Sequence, residues 1–201
     1  MIGKLVLRTN FKDCLSYVLS KPETEIIGVH YLINNPVQPQ LSEQLSEQKP
    51  EQLDEQLSEQ IKQLAHQFRL IAKRSQRIQK PCLHLSLSPH PDDYPSIDNQ
   101  NKLDFVTQLL EKLGYQHCQW LLAEHHDTVT IDGQKRPHLH LIINRIPVND
   151  KKAIKSSFSK RTTEKVLQEL RRTFGLKEVA DSFTVEKRAP STGEIRKYRK
   201  Q

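Results

Sequence analysis

Residues 2–7, IGKLVL, are mostly aliphatic and predict a first strand. Asn10 then precedes FKDCLSYVLSK, where Phe11, Leu15, Val18 and Leu19 share one helical face, so a short helix capped by Asn10 is expected. EIIGVHYL reads as a second strand. Further on, Ile61, Leu64, Ala65, Phe68, Ile71 and Ala72 recur at helical spacing, which predicts a helix that Pro81 stops. CLHLSLS alternates apolar with small or polar residues and predicts a third strand, and PHPDDYPS a loop. Asp98 is placed to cap a helix with a stripe of Leu103, Val106, Leu109, Leu110 and Leu113, ended by Gly114. QHCQWLLAEH and HLHLIINRI predict two strands joined by a segment containing Asp132-Gly133, a hairpin signal. TTEKVLQELRRTFGL is a last amphipathic helix. Together these elements predict an α+β fold with a central, largely antiparallel sheet of about five strands flanked by helices.

Residues 38–60 break the pattern. They iterate Gln-Leu-Ser-Glu-Gln, and a five-residue period matches neither a helical nor a strand face. The expectation is an exposed, low-complexity Gln/Glu-rich insertion, disordered or loosely helical. It interrupts a single domain over residues 1–180, and a basic tail, 181–201, is expected to be mobile. Hydrophobic residues make up only 35% of the 201, and the insertion accounts for part of that deficit.

The charge balance points to a partner. With 31 Lys and Arg against 24 Asp and Glu, the net charge is +7, which favours a polyanion, nucleic acid first. Lys73, Arg74, Arg77 and Lys80 form one basic cluster, and Arg145, Lys151, Lys152, Lys155, Lys160 and Arg161 another. The three cysteines form no CxxC pair, so a disulfide framework or thiolate zinc site is not indicated. No apolar run reaches membrane-spanning length, and the chain reads as cytoplasmic.

Four of the nine histidines lie in AEHHDTVTIDGQKRPHLHLIINRI, residues 123–146. On a strand, His138, His140, Ile142 and Asn144 point one way and Leu139, Leu141 and Ile143 the other. Two imidazoles are therefore expected side by side, on the face away from the apolar packing layer. A hairpin would bring Glu124, His125, His126, Asp127 and Thr128 beside them. Three neutral imidazoles suit a divalent cation, Zn²⁺ by ligand chemistry alone, and strand register decides whether His125 or His126 is the third. Asp127 is placed to accept a ligand histidine's N–H and fix its tautomer. His84, alone on its strand, is read as a sheet residue outside the site.

EHHDT followed by RPHLHLIINRI resembles the third motif of the relaxase/mobilisation nucleases, in the HUH endonuclease class: H-x-D-T, a spacer, then H-hydrophobic-H and Asn-Arg. His125, Asp127, Thr128, His138, His140, Asn144 and Arg145 match it position by position. PCLHLSLSPHPDD is similar to the second motif and DCLSYVLSK to the first. The resemblance implies an HUH-nuclease-like fold and a metal held by His125, His138 and His140, Mg²⁺ or Mn²⁺ in the working enzyme. It implies Tyr17 as nucleophile, with Tyr31 and Tyr94 as rivals, and a catalytic role for Asp127. Ser86, Ser88, Thr128, Asn144 and Arg145 would contact substrate. The implied activity is a relaxase: reversible nicking of one DNA strand at a plasmid transfer origin, giving a 5′-phosphotyrosine and a free 3′-hydroxyl. Partners would be single-stranded DNA and accessory relaxosome proteins. An HUH replication initiator and a non-catalytic single-stranded DNA-binding module are the alternatives.

Overall fold

A computed structural model describes residues 2–21, 23–32, 50–129, 135–155 and 160–178. The first half of the repeat, the Asp132-Gly133 turn and the tail lie outside the described residues. The strands are β1 (Ile2–Arg8), β2 (Thr24–His30), β3 (Cys82–Ser88), β4 (Cys118–His125) and β5 (His138–Pro147). The helices are α1 (Phe11–Leu19), α2 (Pro50–Ala72), α3 (Asn99–Lys112) and α4 (Lys160–Thr173). The five strands form one antiparallel sheet in the order β1-β3-β5-β4-β2. The α+β architecture expected from the sequence is therefore present.

Both faces of the sheet are covered. Leu139, Leu141 and Ile143 of β5 join Leu85, Leu87 and Leu122 in a core with Phe105, Val106 and Leu109 of α3 and Leu167 and Leu170 of α4. On the opposite face, Ile142, Ile146, Leu121 and Ala123 form a second core with Phe11, Leu15 and Val18 of α1 and Ile61, Leu64 and Phe68 of α2. Phe11 stacks on Phe68 with ring centroids 5.0 Å apart, joining the two helices. The histidine face of β5 is thus an interior layer and not a face turned away from the packing. An apolar residue at nearly every position of a central strand has this consequence.

The caps form as the sequence suggests. The Asn10 side chain accepts from the Lys12 N–H and Asp98 from that of Asn101, each satisfying a donor that the first helical turn leaves orphaned. Gly114 closes α3 with φ +79°, a conformation that costs glycine little, and the N–H of Tyr115 reaches back to the carbonyl of Leu110.

Two boundaries differ from expectation. The second helix ends at Ala72 rather than at Pro81, and it begins at Pro50, inside the repeat. The repeat is spaced by four, not five: Leu53, Leu57 and Ile61 are each one turn apart, and proline suits a first helical turn. Leu57 accordingly packs at the edge of the α1–α2 core. Tyr31 lies beyond the end of β2, with φ +54° and its side chain exposed, rather than in the core.

Candidate active site

Strand register brings the histidines together. His125, the last residue of β4, pairs directly with His138, the first of β5, and His140 follows two residues on along the same face. Ring centroids lie 4.2 Å apart for His125 and His140 and 4.8 Å for His138 and His140. One nitrogen from each ring lies within 4.8 Å of the others. His125 and His140 are 0% and 3% exposed. Burial lowers the basicity of all three, pushing His140 down to about 2, so each ring is neutral at pH 7.

Each of the two buried rings has one nitrogen held and one bare. His125 donates from Nε2 to the Val18 carbonyl at 2.7 Å, and its buried Nδ1 has no partner. His140 Nδ1 lies 2.8 Å from His84 Nε2, and its buried Nε2 has no partner. In the tautomer in which His140 donates from Nδ1 to His84, a lone pair is left on Nε2. Two unpartnered, buried, neutral nitrogens beside a third imidazole are a donor set that fits a divalent cation.

The last turn of α1 crosses this cluster. Val18 supplies the carbonyl that orients His125, and Tyr17, the residue before it, meets His140 and His84 edge-on. The Tyr17 ring centroid is 5.8 Å from that of His140 and 5.9 Å from that of His84, yet the side chain is 52% exposed. The ammonium of Lys21 sits 5.4 Å from the Tyr17 ring centroid and 2.5 Å from Asp127 Oδ2.

These contacts redistribute the roles read from the sequence. His126 turns to the opposite face, with Nε2 3.4 Å from Glu124 Oε2, so the trio contains His125. Asp127 is 4.0 Å from His138 Nε2, beyond hydrogen-bond reach, and its carboxylate is engaged by Lys21. Orientation of the histidines therefore falls to the Val18 carbonyl and His84. Ser86 pairs across the ladder with His140, and Ser88 is two residues further along that face. Thr128 donates to the Arg136 carbonyl at 2.6 Å, with its hydroxyl 3.4 Å from His138 Nδ1.

Asn144 and Arg145 lie away from the trio, and their hydrogen bonds are made inside the protein. Asn144, fully buried, donates to the Phe68 carbonyl and Gln119 Oε1. Arg145 donates to the carbonyls of Lys80 and Ile154, tying two loops to the far end of β5. A substrate-binding role is incompatible with those contacts for Asn144, while Arg145 also lines a surface groove of about 840 Å³ with Arg74, Arg77, Lys151, Lys152 and Lys155. The two basic clusters seen in the sequence meet there. Tyr94 hydrogen-bonds Glu124 beside Lys102 on the other face of the sheet, and burial next to that carboxylate pushes its phenol up to about 12. Neither Tyr94 nor Tyr31 approaches the trio.

A family model described as relaxase, MobA/VirD2-like, nuclease domain matches residues 31–176, and the chain belongs to this family. The match begins after α1, so it covers the three histidines but not Tyr17. Among solved structures, the chain is similar to the Mn-bound MobM relaxase domain (MOBV; Mob_Pre) with 22 nucleotides of plasmid pMV158 oriT DNA. Identity is 12% and the TM-score 0.49, over 98% of this chain and 99% of that one. For the same domain bound to 26 nucleotides of that DNA, identity is 9% and the TM-score 0.49, over 97% and 99%. No curated protein matches.

Proposed function

We propose that this relaxase-family domain nicks one strand of DNA at a plasmid transfer origin, with Tyr17 as nucleophile and His125, His138 and His140 as metal ligands. The observation that carries the reading is the half-exposed Tyr17 phenol beside a ring of neutral imidazoles with bare nitrogens. Imidazoles of such low basicity are poor proton carriers at neutral pH and good ligands. When bound, a divalent ion (Mg²⁺ or Mn²⁺ by likeness to the family, Zn²⁺ by donor type) supplies positive charge to the non-bridging oxygens of the scissile phosphate.

The chain's own groups do the rest. The Tyr17 oxygen forms a bond to phosphorus, the bond from phosphorus to the 3′ oxygen breaks, and that oxygen takes up a proton. The phenolic proton leaves toward solvent, which reaches Tyr17 directly. Lys21 lies over the ring and stabilises the negative charge that grows on it, while Asp127 holds the ammonium there. One ester replaces another, so the reverse reaction reseals a strand without an energy source. His84 and the Val18 carbonyl are positioning groups. The Val18 contact is made by the same turn that carries Tyr17, which couples ligand orientation to nucleophile placement.

Ser86 and Ser88 border the approach to His140 and are suited to phosphate contact. Single-stranded DNA is the substrate in this reading, with relaxosome proteins as accessory partners in the cytoplasm. The test is incubation with single-stranded DNA spanning candidate transfer origins and Mn²⁺, followed by a denaturing gel. Wild type should form a covalent adduct, and Tyr17→Phe and His140→Ala none. Equal adduct from Tyr17→Phe would overturn the assignment.

A further inference from the structure

A half-open cavity of about 230 Å³ adjoins Tyr17 and is lined by Arg8, Thr9, Asn10, Asp13, Cys14, Tyr17 and His84. We propose that it takes a single guanine base of the substrate strand, one nucleotide step from the scissile phosphate. This inference rests on the reading of Tyr17 as nucleophile, because Tyr17 and His84 form the wall shared by the cavity and the histidine cluster. A strand placed for attack by Tyr17 must pass the mouth of this cavity.

Size limits the occupant. Clefts for larger ligands run to about 300–1,000 Å³, and this one has room for one base and not for a base with its sugar and phosphate. The lining chemistry narrows it further. Cys14 and His84 are buried, and His84 Nε2 is engaged with His140, so they make the floor. Asn10 has its side-chain oxygen committed to the Lys12 N–H. Arg8, Thr9 and Asp13 remain, none with an ion pair or side-chain hydrogen bond to another described residue, and of these Arg8 and Asp13 carry charge. A guanidinium fork and a carboxylate facing one base-sized space match an edge that offers acceptors and donors together. Guanine presents O6 and N7 to the guanidinium and its N1–H and amino group to the carboxylate. Thymine offers the carboxylate one N–H, and adenine and cytosine one amino group with no N–H beside it, so each satisfies the two groups with fewer hydrogen bonds than guanine. Readout of an unstacked base by its edge, against an aromatic wall, is a mode that single strands permit and duplexes do not.

Fluorescence anisotropy with labelled 12-mer oligothymidylate carrying one central guanine, adenine, cytosine or thymine tests the proposal in EDTA, where no cutting occurs. Wild type should bind the guanine strand at least fivefold more tightly than the other three. Asp13→Ala and Arg8→Gln should each erase that preference and leave affinity for all-thymine DNA within threefold of wild type. Equal binding of all four strands, or a guanine preference kept by both variants, overturns the base assignment. The readout needs no chemistry, so it fails separately from the adduct assay on Tyr17.

Discussion

Replacing His84 with leucine removes the acceptor for His140 Nδ1 while filling most of the space the ring occupied. His84 Nε2 is the partner of His140 Nδ1, at 2.8 Å between two buried rings. Loss of such an orienting contact weakens metal binding by about 10–100-fold, or roughly 1.4–2.7 kcal/mol. The same change leaves a buried N–H unsatisfied, at a cost of about 1–3 kcal/mol in stability. Glutamine offers a carbonyl oxygen in place of the ring nitrogen, so His84→Gln should recover most of the lost affinity and His84→Leu none. Isothermal titration with Mn²⁺, beside thermal unfolding of the same samples, separates the two effects. A folded His84→Leu protein that binds Mn²⁺ as tightly as wild type would refute the orienting role.

Asn144→Leu should lower the unfolding temperature sharply, because the Phe68 carbonyl and Gln119 lose a buried donor; calorimetry reads it, and an unchanged midpoint would count against the structural role. Acidification should destabilise the metal-free protein. The folded-state pKa values of His125, His138 and His140 lie below the unfolded 6.5, so the unfolded chain binds more protons as pH falls under that value; urea midpoints at pH 5 and pH 7 should show the drop. Changing Lys151, Lys152 and Lys155 to glutamine together should flatten the salt dependence of single-strand binding by about 0.7 per lost phosphate contact, and an unchanged slope would remove the groove from the DNA path.

The elements were legible where their periodicity was uniform. The apolar face of α1, the stripe and caps of α3, and the alternation in β3 and β5 all appear where the sequence places them. The histidine trio was legible too, because residues two apart on β5 must share a face, although only register could choose His125 over His126. His84 could not be found this way. A single histidine on a strand has no pattern, and its value comes from the pairing of β3 with β5, a contact between residues 56 apart. The Val18 carbonyl leaves no trace in side-chain identity at all. Asn144 illustrates the opposite error: it matches the motif beside the ligands, yet it is bonded at the far end of the strand, where it holds α2 to the sheet. The start of α2 was missed by counting the repeat in fives, when leucines four apart were already helical.

The most direct test of a phenol attacking beside a three-histidine metal site is to find which residue carries the DNA. Trapping the adduct with Mn²⁺, digesting both protein and DNA, and sequencing the modified peptide by mass spectrometry should locate a nucleotide phosphate on Tyr17. A phosphate on any other residue, or an adduct formed undiminished after His138 and His140 are both changed to alanine, would contradict the account.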